Sequence, residues 1–208
     1  MQNQKPATSP KPMNRKLSFP AGCLFELALL VFAVLWGWLF HRSAFLDLHW
    51  SLTSALIGIV AAIPPFLFFL WTLNSSLHVF TRHKQLMESL LRPLFEKWSI
   101  LQLGIISLCA GISEEAFFRG AIQGSLAERV GVIAALVLAA ALFGACHLIT
   151  WTYAIIAALI GAYLGLLWIW TGNLLTPMIT HTVYDFVALV YFLRVYRSES
   201  PGKPPPES

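Results

Sequence analysis

The chain has 208 residues, of which 57% are hydrophobic and 12% are charged, and its mean hydropathy is +0.69. These values exclude a soluble domain of this length and are typical of an integral membrane protein. The net charge of +4 does not indicate a nucleic-acid partner, because the basic residues lie in the tails and between apolar segments rather than in one patch.

The two ends of the chain differ from its middle. Residues 1–18 are polar, basic and contain proline, and residues 195–208 close the chain with a similar composition, so we predict a flexible tail at each end. A bilayer core of about 30 Å requires about 20 apolar residues in a helix. Two such spans fit into residues 19–80. The whole sequence contains five clear spans, at residues 21–40, 52–73, 130–149, 152–171 and 174–193.

Residues 81–98, TRHKQLMESLLRPLFEKW, alternate apolar and charged side chains, which is typical of an amphipathic helix in the membrane interface. Four Lys and Arg residues lie in the N-terminal tail, four lie between the second and third spans, and three follow the last span. The opposite side holds Arg42, Arg119 and Arg129. The positive-inside rule therefore predicts that both termini are cytoplasmic, and the small size is compatible with a bacterial plasma (inner) membrane protein.

One further span begins near Ser99 and contains charges. The sequence SILQLGIISLCAGIS supplies fifteen uncharged residues before Glu114, which is too short for a crossing. The helix must therefore continue through Glu114, Glu115 and Arg119, although charges inside the membrane are costly unless they are paired or hydrated. We predict a four-helix core at residues 99–194, within an all-α, polytopic membrane helical bundle of about six transmembrane helices.

Spacing along the helices separates the charged side chains into pairs. Glu115 and Arg119 are four residues apart and share a helix face, so we expect an ion pair. Glu114 points about 100° away and has no such partner. His181 and Asp185 are also four apart, so the carboxylate can orient the imidazole.

Not every buried ionisable group indicates function. We interpret Glu26, near the cytoplasmic end of its helix, as a structural residue that forms a helix–helix hydrogen bond or lines a water pocket. A purely structural network does not require an unpaired carboxylate and two imidazoles on three separate helices, whereas the activation of a water molecule does. We therefore predict a functional role for six residues: Glu114, Glu115, Arg119, His147, His181 and Asp185.

Three short motifs resemble those of a known family. EEAFFRG is similar to the E-E-x-x-x-R motif, FGACH to F-x-x-x-H, and HTVYD to H-x-x-x-N of the CPBP family, the CAAX proteases and bacteriocin-processing enzymes also called the Abi family. The order and spacing agree over residues 95–195. One residue departs from the pattern, because Asp185 stands where asparagine is more usual.

The resemblance implies an intramembrane endopeptidase that hydrolyses a peptide bond with a glutamate-activated water. It implies that Glu114 is the general base, that His147 assists it, and that His181 and Asp185 bind the water or stabilise the oxyanion. Glu115 and Arg119 are implied to hold the first motif helix in shape. The implied partners are a peptide or protein substrate at the membrane and the lipid bilayer, with no nucleic acid.

Two questions stay open at the level of sequence. One carboxylate and two histidines are also the ligand set of many catalytic zinc sites. No H-E-x-x-H motif is present, and the three cysteines form no CxxC pair, so we favour a mechanism without a cofactor and keep zinc as the alternative. The alternative functions are a non-catalytic membrane scaffold or immunity protein, and, less favoured, a proton-coupled transporter, for which duplicated halves are missing.

The depth of the motifs raises a difficulty. Counted from the non-cytoplasmic helix ends, Glu114 lies about 20 Å deep, His147 about 24 Å and His181 about 10 Å. Straight, upright helices would keep these side chains apart. We therefore expect either tilted helices or a later start of the last span.

Overall fold

The computed structural model describes residues 18–196, except for the side chain of Arg82. The predicted flexible tails lie outside the described residues, apart from Ser18, Val195 and Tyr196. The helices are α1 (Phe19–Leu39), α2 (Leu52–Ala61), α3 (Ile63–Asn74), α4 (His78–Leu86), α5 (Arg92–Phe95), α6 (Ile100–Glu115), α7 (Gly124–Val130), α8 (Val132–Cys146), α9 (Trp151–Thr171) and α10 (Leu175–Val190). Three π-helical segments, Met87–Leu91, Ala116–Gln123 and Tyr191–Val195, continue these helices.

Within residues 18–196, five helical stretches are long and apolar enough to cross a membrane. They are Phe19–Leu39, Leu52–Asn74, Ile100–Val130, Trp151–Thr171 and Leu175–Val195. Many large apolar side chains on these helices are exposed on the surface of the bundle, as expected for contact with lipid tails. The predicted all-α membrane bundle is therefore confirmed, with no strand within residues 18–196.

The predicted span at residues 130–149 is shorter than expected. Gly131 has a φ of 86° and separates α7 from α8, while His147 leaves the helical conformation with a ψ of 17°. Thr150 then accepts a hydrogen bond from the Tyr153 amide and begins α9. The resulting helix α8 has 15 residues, about 22 Å, so it is shorter than the apolar core of a bilayer.

The helix that carries the charges does continue past Glu114. Ser99 and Gln102 form a capping box at its start, and the helical path then runs from Ile100 to Val130 without a break. Its length of 31 residues is about 46 Å, which exceeds the apolar core of the bilayer.

The far turns of this helix lie beside the connection between α1 and α2. Arg42 in that connection donates to the carbonyl of Gly120 and pairs with Glu128 at 2.9 Å. Helix α10 begins at Leu175, close to the predicted start, so a later start does not explain how His181 reaches the level of Glu114. The structure nevertheless brings His181 Nδ1 to 2.8 Å from Glu115, the residue after Glu114.

Helices α6 and α10 approach each other at Gly111. A Cβ atom at this position would contact Thr182 Oγ1 too closely and would stand 2.8 Å from the carbonyl oxygen of Met178. Both neighbours belong to α10, and one of them is backbone. The absence of a side chain at Gly111 thus allows α10 to lie against the turn that precedes the motif carboxylates.

We expect Gly111→Ala to destabilise the fold by about 1–3 kcal/mol, because α6 and α10 must move apart. Gly104→Ala on the same helix is the matched control, since its nearest neighbour, a Phe186 ring carbon, would be 3.6 Å from the new Cβ. Alanine at an unhindered helix position usually stabilises, by about 0.5–1 kcal/mol. Thermal unfolding of the two variants in detergent measures the difference. Equal melting temperatures would contradict the close approach at Gly111.

The predicted amphipathic segment is helical from His78 to Phe95. Arg92 pairs with Glu88 at 2.6 Å and also donates to the carbonyl oxygen of Phe192, which ties this segment to the end of α10. His83 and Met87 are buried on the face that points into the bundle. Its location in the membrane interface stays a prediction of the sequence.

Candidate active site

The charged groups of the first motif form a network across two helices. Arg119 donates from Nη1 to Glu115 Oε1 at 2.9 Å, and His181 Nδ1 lies 2.8 Å from the same oxygen. Glu115 is completely buried, and Arg119 and His181 are 1% and 5% exposed. The expected ion pair between Glu115 and Arg119 therefore forms, and it also joins the first motif helix to His181 on α10, a contact that helical spacing did not predict.

Arg119 is held on its other side as well. Its Nη2 donates to the carbonyl oxygen of Gly161 at 2.8 Å, and its guanidinium lies 4.6 Å from the ring centroid of Phe143. A guanidinium without access to water needs this set of partners, because an unpaired buried charge is strongly destabilising. The π-helical turn Ala116–Gln123 carries Arg119, and such turns are frequent at functional sites.

His147 lies where α8 ends, and its ring orientation is fixed by Phe143. Its Nδ1 is 2.7 Å from the carbonyl oxygen of Phe143, and the two rings pack with centroids 4.6 Å apart. A carbonyl oxygen only accepts, so Nδ1 carries the ring proton and Nε2 presents a lone pair. His147 is therefore held in the tautomer that can accept a proton at Nε2.

His181 lies between two carboxylates. Nδ1 contacts Glu115, and Nε2 is 3.5 Å from Asp185 Oδ2 on the next turn of α10. The predicted pairing of His181 with Asp185 is present as this longer contact, while the shorter contact is made by Glu115. The imidazole is thus oriented from both sides.

A cavity of about 270 Å³ brings the predicted catalytic side chains together. Glu114, His147, His181 and Asp185 all line it, from α6, the end of α8 and α10. Glu114 Oε2 is buried and has no hydrogen-bond partner within residues 18–196. A carboxylate oxygen in this state is available to a molecule that enters the cavity.

Glu26 also lines this cavity, although the sequence did not indicate that it would share a cavity with Glu114. It is 9% exposed and accepts a hydrogen bond from Ser113, the residue before Glu114. The expected helix–helix hydrogen bond is therefore real, since Ser113 is on α6 and Glu26 on α1. The position of this glutamate inside a predicted span indicated that it would need a hydrogen-bond partner. Helical spacing did not indicate that the partner would be Ser113.

The donors fit a metal ion poorly. In the part of the chain that the structure describes, no three His, Cys, Asp or Glu side chains form a cluster that could hold one. Both nitrogens of His181 face carboxylates, and Nδ1 of His147 is bonded to a carbonyl. A zinc ligand set of Glu114, His147 and His181 would require at least His181 to turn away from these contacts.

Comparison with known proteins agrees with the three motifs. The family described as Rce1-like, type II CAAX prenyl endopeptidase, matches residues 96–187. This segment, less than half of the chain, is therefore similar to the Rce1-like family. The match includes all six predicted site residues and confirms the resemblance to the CAAX proteases, whereas Glu26 and His83 lie before it.

The similarity to a curated relative is less informative about activity. The chain is 34% identical over 125 residues to the uncharacterized protein YpbD of Bacillus subtilis (strain 168). The similarity covers 56% of this chain and 64% of that protein, so it spans less than two thirds of the relative's length. No solved structure is significantly similar to the chain.

Proposed function

We propose that this membrane protein is an intramembrane endopeptidase of the CAAX-protease type in which Glu114 activates the attacking water. The observation that carries the proposal is the buried Glu114 Oε2, which has no partner among the described residues and lines a cavity with His147 and His181. A positioned carboxylate without a competing hydrogen bond is what general-base catalysis requires. The Rce1-like segment supports the reaction class.

The reaction follows from these positions. Glu114 accepts a proton from water as the water oxygen attacks the peptide carbonyl, and the proton then passes to the leaving amine when the C–N bond breaks. His147, with its Nε2 lone pair, assists in holding the water. His181 is held by Glu115 at Nδ1, and its Nε2 exchanges the longer 3.5 Å contact with Asp185 for a contact with the water or the oxyanion. Arg119 donates a hydrogen bond to Glu115 and holds its carboxylate in place.

We infer the side of the membrane from which a peptide enters by combining the residues that line the cavity with the proposed topology. From Glu114 the cavity runs along Ala110 and Ile106 towards the start of α6, and from His181 along Ala188 towards the end of α10. Both of these helix ends are cytoplasmic if both termini are cytoplasmic, as we propose for a bacterial plasma membrane. The substrate therefore reaches the site from the cytoplasmic half of the bilayer.

The substrate class is proposed from the family description. CAAX prenyl endopeptidases act on prenylated C-terminal peptides, and the cavity wall between Glu114 and Phe192 is largely apolar, which suits a lipid-modified peptide. We therefore take an internally quenched peptide with an S-farnesylated cysteine as the first substrate to test.

Full-length protein reconstituted into liposomes is expected to cleave this peptide. The cleavage is expected to persist after treatment with the chelators EDTA and 1,10-phenanthroline. The reason is that no residue in the proposed mechanism needs a metal. The measurement is the fluorescence increase, with product masses determined by mass spectrometry. Loss of activity on chelation that zinc restores would contradict the metal-free mechanism, and absence of cleavage would contradict the proposed substrate.

A further inference from the structure

One wall of the cavity comes from outside the segment that matches the Rce1-like family. His83, Met87, Leu91 and Phe95 line the cavity from the amphipathic segment between α3 and α6. Three of these side chains are apolar. His83 is the exception, and it is 5% exposed.

The side chain of His83 makes no hydrogen bond to any residue that the structure describes, and its Nδ1 is buried without a partner. Its ring stacks on Tyr153, with centroids 5.9 Å apart and an interplanar angle of 28°. Tyr153 in turn meets the His147 ring edge-on at 5.6 Å. Aromatic packing thus fixes the plane of the His83 ring next to the site, while its hydrogen-bonding capacity remains unused.

The surroundings determine which ligand this ring suits. Burial lowers the pKa of His83, so the imidazole is neutral at pH 7. With the proton on Nε2, the buried Nδ1 keeps only a lone pair, and the other edge of the ring presents a donor. A neutral donor suits a neutral acceptor, and the acidic side chains of Glu26, Glu114 and Asp185 in the same cavity disfavour an anionic one.

We propose that His83 is a substrate-binding residue that donates a hydrogen bond to a backbone carbonyl of the peptide in the cavity. The amphipathic segment then forms part of the peptide-binding site. This inference rests on the proposed peptidase function, because only a peptide substrate brings backbone carbonyls into the cavity. If His83 served only to pack against Tyr153, an apolar side chain of similar size would replace it without loss of binding.

The test compares variants of the reconstituted full-length protein on the quenched, S-farnesylated peptide. His83→Leu is expected to raise KM about 10-fold with kcat changed less than twofold, because the lost hydrogen bond belongs to binding rather than to the chemical step. His83→Gln, which keeps an amide donor near the position of Nε2, is expected to recover most of the lost affinity. His78→Leu on the same helix is the matched control, since His78 is exposed, and it is expected to match wild type.

The outcomes separate the two proposals. A KM of His83→Leu within twofold of wild type, or equal losses for the Leu and Gln variants, overturns the role of His83 while leaving the peptidase intact. Binding of the same peptide to the Glu114→Gln protein provides an independent value, because dissociation constants do not depend on turnover. A wild-type protein that neither binds nor cleaves the peptide removes the proposed substrate and this inference together.

Discussion

Glu114→Gln is expected to lower the rate of peptide hydrolysis by about 10²–10⁴-fold, the usual contribution of a general base. Glutamine has nearly the same shape as glutamate but cannot accept the proton of the attacking water. Since Glu114 Oε2 has no hydrogen-bond partner within residues 18–196, the substitution breaks no contact of that oxygen. The measurement is the initial rate on the quenched peptide, together with the melting temperature.

Two controls separate chemistry from folding in this experiment. Glu114→Asp keeps the carboxylate but withdraws it by about one C–C bond, and it is expected to retain partial activity. Glu26→Gln replaces a second carboxyl group that lines the same cavity. The amide oxygen of glutamine can still accept the hydrogen bond that Ser113 donates to Glu26. A Glu114→Gln protein that is folded and as active as wild type would show that Glu114 is not the base.

Arg119→Met is expected to destabilise the protein by about 3–5 kcal/mol, the range found when one partner of a buried ion pair is removed. Glu115 is completely buried, so its carboxylate would lose the cation that lies 2.9 Å away. The carbonyl of Gly161 would lose its donor as well. Unfolding in mixed detergent and denaturant measures the change.

The double variant Glu115→Gln with Arg119→Met is expected to recover much of this stability, because it removes both charges. Its activity is not expected to recover, since His181 Nδ1 then loses the carboxylate that orients it. Wild-type stability of Arg119→Met alone would contradict the assignment of a buried ion pair. Wild-type activity of the double variant would contradict the role of Glu115 in orienting His181.

Local spacing predicted part of the site correctly. The pair of Glu115 and Arg119 lies within one helix, so the repeat of about 3.6 residues per turn is sufficient to place the two side chains together. The length of an apolar helix likewise required the charges to lie within the span. Both arguments depend on backbone geometry that is fixed before any helix packs against another.

Contacts between helices were not predictable in the same way. The hydrogen bond between Glu115 and His181 joins residues 66 positions apart and depends on how closely α10 approaches α6 at Gly111. Glu26 and His83 reach the cavity from elements that carry no recognised motif. Glu26 was visible in the sequence as an ionisable residue inside a predicted span, whereas nothing in the sequence marked His83 as buried. The cavity they share exists only after packing.

The early end of α8 was also missed. The hydropathy of residues 130–149 is high throughout, so composition favours one long span. Gly131 and the hydrogen bond from His147 to Phe143 limit the helix locally instead. This places His147 at a helix end, where its ring can turn towards the cavity.

The most direct test of the central claim is a comparison of membrane-protein termini in cells that express wild-type protein or Glu114→Gln at equal levels. If the protein is an intramembrane endopeptidase that uses Glu114, a defined set of termini is present with wild type and replaced by uncleaved precursors with the variant. Those peptides would also identify the substrate. Identical termini in both strains would contradict the proposed proteolysis and favour a non-catalytic membrane scaffold.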